Sequence, residues 1–503
     1  MQYSIPRRRF LASAAATASL PAIPAIARAA APARRLTAHT RIIEVNGHAA
    51  TKFQLTDQAG NTGITLAPGE RFKVDLINNA GTSTIIHWHG QFPPWVQDGF
   101  PWMETPPIKP GAAQAYDYAA IPGTFWMHSH QGLQEQNLMT APLIVHSAAD
   151  LRADHQEVVM MLHDFSFHSP EALMAGLTGQ SLPAIHTMTR EVENIPTRDI
   201  PPHPARSAAM PGMSMHGMDM KDMDMNGMSM GKSDLNDVHY DAFLTNDRTL
   251  SDPLVIATSR SARIRLRLIN GSSSSQFWVD FGGLTGTVIA TDGHDCLPIP
   301  AKRIPIGIAQ RFDVLLDLPP DRATPILATL EGTTDRTGLI LAPPGAPIAR
   351  ITPHAAKPAP AVDLSLERRL SARHPLTPRR PGLRHRIDLA GHMKPYAWSL
   401  NNEFWPNVTP LMLTSGQRVE IDLVNHSMMA HPMHLHGHDF QIIAIDGTPL
   451  NGAMRDTIVV PPMGTIRIAL DANNPGRWAF HCHNLYHMMT GMMTEFRYHG
   501  TAV

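Results

Sequence analysis

Phe72-Lys73-Val74-Asp75-Leu76-Ile77 alternates apolar and polar residues and runs into Asn78-Asn79. Successive side chains of a strand point to opposite faces, so this alternation marks a half-buried β-strand. The same build returns twice. Ala262-Arg263-Ile264-Arg265-Leu266-Arg267-Leu268-Ile269 leads into Asn270-Gly271, and Val419-Glu420-Ile421-Asp422-Leu423-Val424 leads into Asn425-His426. From Asn78 to Asn270 is 192 residues, and from Asn270 to Asn425 is 155, a spacing of domain size. Around each copy, short apolar runs are punctuated by Gly, Pro and Asn, and no long amphipathic helix competes. Proline accounts for 44 of 503 residues, above the usual ~5%, which also disfavours helices. The expected fold is all-β, with three related β-sandwich domains at 33–150, 155–345 and 381–503 and a Pro- and Arg-rich linker at 346–380.

The formal net charge is −1, which leaves no electrostatic footprint for nucleic acid. Two cysteines among 503 residues exclude a disulfide scaffold and an ordinary four-cysteine metal site, whereas His and Met each number 28. Arg7-Arg8-Arg9 opens an Ala-rich, mildly apolar stretch that ends in Ala25-Ile26-Ala27. Residues 1–31 therefore read as a cleavable export signal, similar to the twin-arginine type although Pro6 replaces the usual Ser or Thr, and the mature chain is expected in the periplasm. No later run is apolar for the ~18 residues a membrane span requires. Gly-x-Ser-x-Gly, His-Glu-x-x-His and phosphate-loop patterns are absent, so hydrolase and nucleotide chemistry lack support.

Four His-x-His pairs stand out: His87/His89, His128/His130, His434/His436 and His481/His483. In a strand, residues two apart share a face, so each pair can aim two imidazoles at one point. A lone pair reads as surface or core histidines. Four pairs, in two groups more than 300 residues apart, read as ligands, and imidazole suits copper, zinc or iron. The C-terminal pattern selects copper. Cys482 lies between His481 and His483 and so faces the opposite side of their strand. Together with His431, His487 and Met492 it completes a His₂Cys set with a weak thioether, the arrangement of blue-copper electron-transfer sites.

His87-Trp88-His89-Gly90, His128-Ser129-His130, His431-Pro432-Met433-His434-Leu435-His436-Gly437 and His481-Cys482-His483 with His487 and Met492 together resemble the four ligand motifs of multicopper oxidases. The likeness is greatest to the three-domain bacterial, laccase-like and copper-resistance enzymes. It implies three consecutive cupredoxin-like Greek-key β-sandwiches and four copper ions. His431, Cys482, His487 and Met492 would bind the type 1 copper, which accepts electrons from a reducing substrate. His87 and His434 would bind the type 2 copper. His89, His128, His130, His436, His481 and His483 would bind the type 3 pair, and this three-copper cluster would reduce O₂ to water between the first and last domains. Asp98 matches the family's proton-delivering acid, although Asp98-Gly99 alone reads as a turn. A second acid follows the last type 1 histidine in some relatives. Met488 stands there, and Glu135 is a weaker substitute.

Residues 208–232 form a Met-rich insert, with nine methionines from Met210 to Met230. Thioethers prefer Cu(I), and His216 with the interspersed Asp residues could hold Cu(II), so extra copper binding is expected there. Cu(I) and phenolic or diamine reductants are both open as substrates. The competing reading is a periplasmic protein that sequesters copper through this insert without catalysis. Cys296 is expected to be a buried thiol. His294 and His426 are expected in loops and outside the ligand set, with His438 at most supporting it.

Overall fold

A computed structural model describes residues 32–101, 106–182 and 235–501, so the export signal and the Met-rich insert lie outside the described residues. From Arg34 onward the chain is one compact unit, and among the described residues its regular structure is almost wholly strands. The strands form six sheets in three pairs: two of four strands, then one of six and one of five, then one of seven and one of five. These are three consecutive cupredoxin-like β-sandwiches. Each has its own apolar core, centred on residues such as Leu76 and Phe125, Leu266 and Val314, and Ile421 and Phe480.

The three repeated segments are the structural keystones. They form the strands Phe72–Asn79, Arg263–Asn270 and Arg418–Asn425. Each runs parallel to the first strand of its sandwich, with registers such as Leu36 opposite Leu76, Leu266 opposite Val158 and Leu383 opposite Val419. Their closing asparagines repeat one device. Asn78 Nδ2 donates to Thr82 O and Ile108 O, Asn270 Nδ2 to Ser275 O, and Asn425 Nδ2 to Met429 O and Val460 O. Each Oδ1 accepts from the backbone N–H two residues on. A buried side-chain amide thus satisfies main-chain groups that the departing strand leaves unpaired, which is why Asn closes the repeat.

Residues 346–380 lie along the middle sandwich and reach the third. Arg336 N donates to Pro353 O, Ala355 N to Thr334 O and Ala372 N to Gly452 O, and a short 3₁₀ turn forms at Glu367–Arg369. Among the described residues, no helix is long and apolar enough to cross a membrane.

Candidate metal centre

The first histidine of each His-x-His pair sits on one of two neighbouring antiparallel strands in the first and third sandwiches, and the second lies just past the strand end. His87 is opposite His128, and His434 is opposite His481. The two strand pairs face each other, so eight buried imidazoles meet at the junction. His87 stacks on His436 at 3.8 Å between ring centroids, and His89 stacks on His434 at 3.7 Å. All eight sequence-derived histidines are brought together.

The ring nitrogens divide into an anchored set and a bare set. His87 Nδ1 donates to Asp98 O (2.9 Å), His434 Nδ1 to Asp456 O (2.9 Å), His436 Nδ1 to Asp98 Oδ2 (2.7 Å) and His481 Nδ1 to Cys482 O (2.9 Å). His128 Nδ1 is 2.8 Å from Glu135 Oε2. His87 Nε2, His89 Nδ1, His434 Nε2 and both nitrogens of His130 are buried without a hydrogen bond. His436 Nε2 and His481 Nε2 lie 3.0 Å apart, and each ring already carries its proton on Nδ1. Two lone pairs therefore point at one another. Burial, with nearby imidazoles, holds His436 far below the ordinary histidine range, and burial lowers His481 to about 4, so no proton relieves the contact near neutrality. A shared cation does relieve it, and the residues fit a metal cluster on this ground.

The opposite face of the Cys482 strand repeats the logic on a smaller scale. His431 Nδ1 and His487 Nδ1 are 3.1 Å apart, and Cys482 Sγ lies 3.7 and 3.6 Å from them. On the outer side, His431 Nε2 donates to Ser427 Oγ (2.7 Å), and His487 Nε2 faces the Asp237 carboxylate with 3.0 Å to Oδ2. Donor atoms ~3–4 Å apart are what ligands ~2.0–2.3 Å from one metal give. Burial pushes the Cys482 thiol up, so a bound metal is needed to hold it as thiolate. Met492 is fully buried beside these residues. Its N–H donates to His487 O and its carbonyl accepts from Cys482 N, both at 3.0 Å. Trp398 packs on His487 with ring centroids 4.0 Å apart.

Asp98 caps the short 3₁₀ turn Trp95–Gln97 and is fully buried. The turn persists all the same: Gly99 has φ +82°, and a Cβ there would lie 1.8 Å from Ile86 O. Glu135 is buried as well, 2.8 Å from His128 Nδ1 and 3.8 Å from His483 Nδ1. Burial, reinforced by Asp164, raises its carboxyl well above the usual range. His438 supports the site, with Nδ1 donating to His436 O. Cys296 is a buried thiol pushed up to about 12 by burial. His294 opens the strand His294–Ala301 rather than lying in a loop, whereas His426 is in a loop, paired with Asp388.

Sequence reasoning missed Asp237, Asp456 and Arg311. Asp237 accepts from Tyr396 Oη and Asn484 Nδ2 as well as facing His487. Burial works against its charge, yet these partners hold the carboxyl below its usual range. Its Oδ1 is buried without a hydrogen bond. Nothing in its local sequence marks it.

Three multicopper oxidase family models match residues 38–150, 214–339 and 378–500. The chain belongs to the multicopper oxidase family. It is a copper-dependent oxidoreductase that uses O₂ as acceptor, with four copper ions as cofactor: one type 1, one type 2 and two type 3. It is similar to multicopper oxidase MmcO of Mycobacterium tuberculosis, 28% identical over 460 residues, covering 86% of this chain and 81% of that one. Copper resistance protein A of Escherichia coli is 26% identical over 542 residues, covering 85% and 86%. In fold it matches Fet3p, a multicopper oxidase that functions in iron import, with a TM-score of 0.71 at 20% identity over 92% of this chain and 90% of that one.

Proposed function

We propose that the His431, Cys482, His487 and Met492 site holds the type 1 copper and that the eight junction histidines hold the other three ions. His87 and His434 would take the type 2 ion, and His89, His128, His130, His436, His481 and His483 the type 3 pair. The observation that carries this reading is the close approach of buried ring nitrogens in both places, 3.1 Å between His431 Nδ1 and His487 Nδ1 and 3.0 Å between His436 Nε2 and His481 Nε2. Copper there supplies one-electron oxidation of a reductant and four-electron reduction of O₂ to water. Cys482 binds at one site through Sγ while its neighbours His481 and His483 bind at the other, so one tripeptide bonds the two together. His481 Nδ1 donating to Cys482 O adds a second link at 2.9 Å. Asp98 holds a carboxylate oxygen, Oδ1, buried and free of hydrogen bonds 3.3 Å from His87 Nδ1, where it can pass protons to reducing oxygen.

Electron entry is at His487. The Asp237 carboxylate covers its outer nitrogen, and the Met-rich insert ends five residues before Asp237 in sequence. This placement favours Cu(I) as reductant, recruited by thioethers and passed to the His487 edge, in an exported enzyme of periplasmic copper tolerance. A sequestering protein would have no use for a buried thiolate site bonded to a second cluster. The test is O₂ uptake with Cu(I) and with a phenol, for the full chain and for a chain lacking residues 208–232. Loss of the insert is expected to slow Cu(I) oxidation by about tenfold or more while phenol turnover stays level. Unchanged Cu(I) kinetics would overturn the recruitment role.

A further inference from the structure

His89 differs from its neighbours in the nitrogen it turns outward. His87, His128, His434, His436 and His481 all anchor through Nδ1. His89 instead places Nε2 3.1 Å from Asp456 Oδ1 and 3.2 Å from Thr457 Oγ1, which leaves Nδ1 as its one nitrogen for a metal. Which ring nitrogen is free is set by the bond the other makes. The Asp456 carboxylate therefore decides how His89 can bind. The same dipeptide also sets His434, whose Nδ1 donates to Asp456 O.

Asp456 is itself gripped by a residue from another sandwich. Arg311, on a strand of the middle domain and fully buried, donates from Nη1 to Asp456 Oδ1 at 2.8 Å and from Nη2 to Oδ2. Its Nε donates to Thr124 O of the first domain at 3.3 Å, and its Nη1 to Ala309 O at 3.0 Å. The Arg311 backbone N–H is held by Asp292 Oδ1 at 2.9 Å. A planar guanidinium bonding both carboxylate oxygens fixes the rotation of that carboxylate, which a single bond cannot do. The pair also fills the space beside the next residue of the His89 motif. A Cβ on Gly90 would lie 2.5 Å from Asp456 Oδ2 and 2.6 Å from Arg311 Nη2.

We propose that Arg311 is a positioning residue for the copper cluster: by orienting Asp456 it makes His89 present Nδ1, so the middle domain takes part in assembling a site whose ligands all come from the other two. This rests on the cluster reading above. The role is indirect, since Arg311 touches neither copper nor O₂.

The test compares the copper-loaded full chain with Arg311→Lys and Arg311→Met. Lysine keeps the charge but grips one oxygen, and methionine keeps neither property. The visible thiolate-to-copper band reports the Cys482 site, while the near-ultraviolet band and the type 2 electron paramagnetic resonance signal report the cluster. Both variants are expected to keep the visible band. The near-ultraviolet band and copper content fall in Arg311→Met and fall less in Arg311→Lys. O₂ turnover drops about tenfold to a hundredfold, as for other residues that orient metal ligands. If Arg311→Met does not accumulate as folded protein, Arg311→Lys decides alone. A wild-type near-ultraviolet band, resonance signal and turnover in the variant that decides would overturn the proposal. So would equal loss of both bands in Arg311→Lys, which marks general structural support. A wild-type protein without the near-ultraviolet band contradicts the cluster reading instead, so the two failures are distinguishable.

Discussion

Cys482→Ser leaves the copper-loaded protein colourless in the visible and takes O₂ uptake to background. The substitution exchanges one atom in a fully buried position, so the surrounding strands Arg477–Cys482 and His431–Leu435 keep their packing. It removes the sulfur that lies 3.7 and 3.6 Å from His431 Nδ1 and His487 Nδ1 and that would bind copper as a soft thiolate, and a hydroxyl does not replace it. No other thiol can stand in: Cys296, the second cysteine, belongs to the core of the middle sandwich. The near-ultraviolet band of the junction cluster persists, because His481 and His483 keep their places. The visible spectrum and an oxygen electrode check this. Blue colour retained in the variant would refute the type 1 assignment.

Asp98→Asn leaves the colour and the copper content intact but lowers kcat by about 10²–10⁴-fold, the range for loss of a positioned proton donor. The asparagine carbonyl can still accept the His436 Nδ1 hydrogen bond that Asp98 Oδ2 accepts at 2.7 Å, so the ligand ring is held. The backbone carbonyl that anchors His87 is untouched. What disappears is a carboxylate able to take up and release a proton inside the junction. Rapid mixing is expected to show normal reduction of the type 1 site and slow reoxidation by O₂. A loss under about threefold would transfer the proton role elsewhere, with Glu135 the next residue to replace because its carboxylate also reaches the cluster rings.

These two residues mark the boundary of what the chain shows without its fold. The sandwiches are legible because period-two strands and their closing asparagines repeat three times, and each asparagine Oδ1 accepts from the main-chain N–H two residues on. The ligands are legible because an i, i+2 spacing at a strand's end aims two imidazoles at one point, which local geometry writes directly into sequence. Their supports carry no such spacing. Asp98 meets His436 across 338 residues, Asp456 meets His89 across 367, and Asp237 meets His487 across 250. Each is a single acid in an unremarkable context, brought in by packing between sandwiches. Family likeness supplied Asp98. Asp237, Asp456 and Arg311 emerged only when the three domains were seen against each other.

The most direct measurement of the central claim is the stoichiometry of turnover: electrons taken from a one-electron reductant per O₂ consumed, with hydrogen peroxide assayed in the same vessel. A buried cluster joined through Cys482 to a separate electron-accepting site predicts four electrons per O₂ and no peroxide. A ratio of two with peroxide accumulating would contradict it.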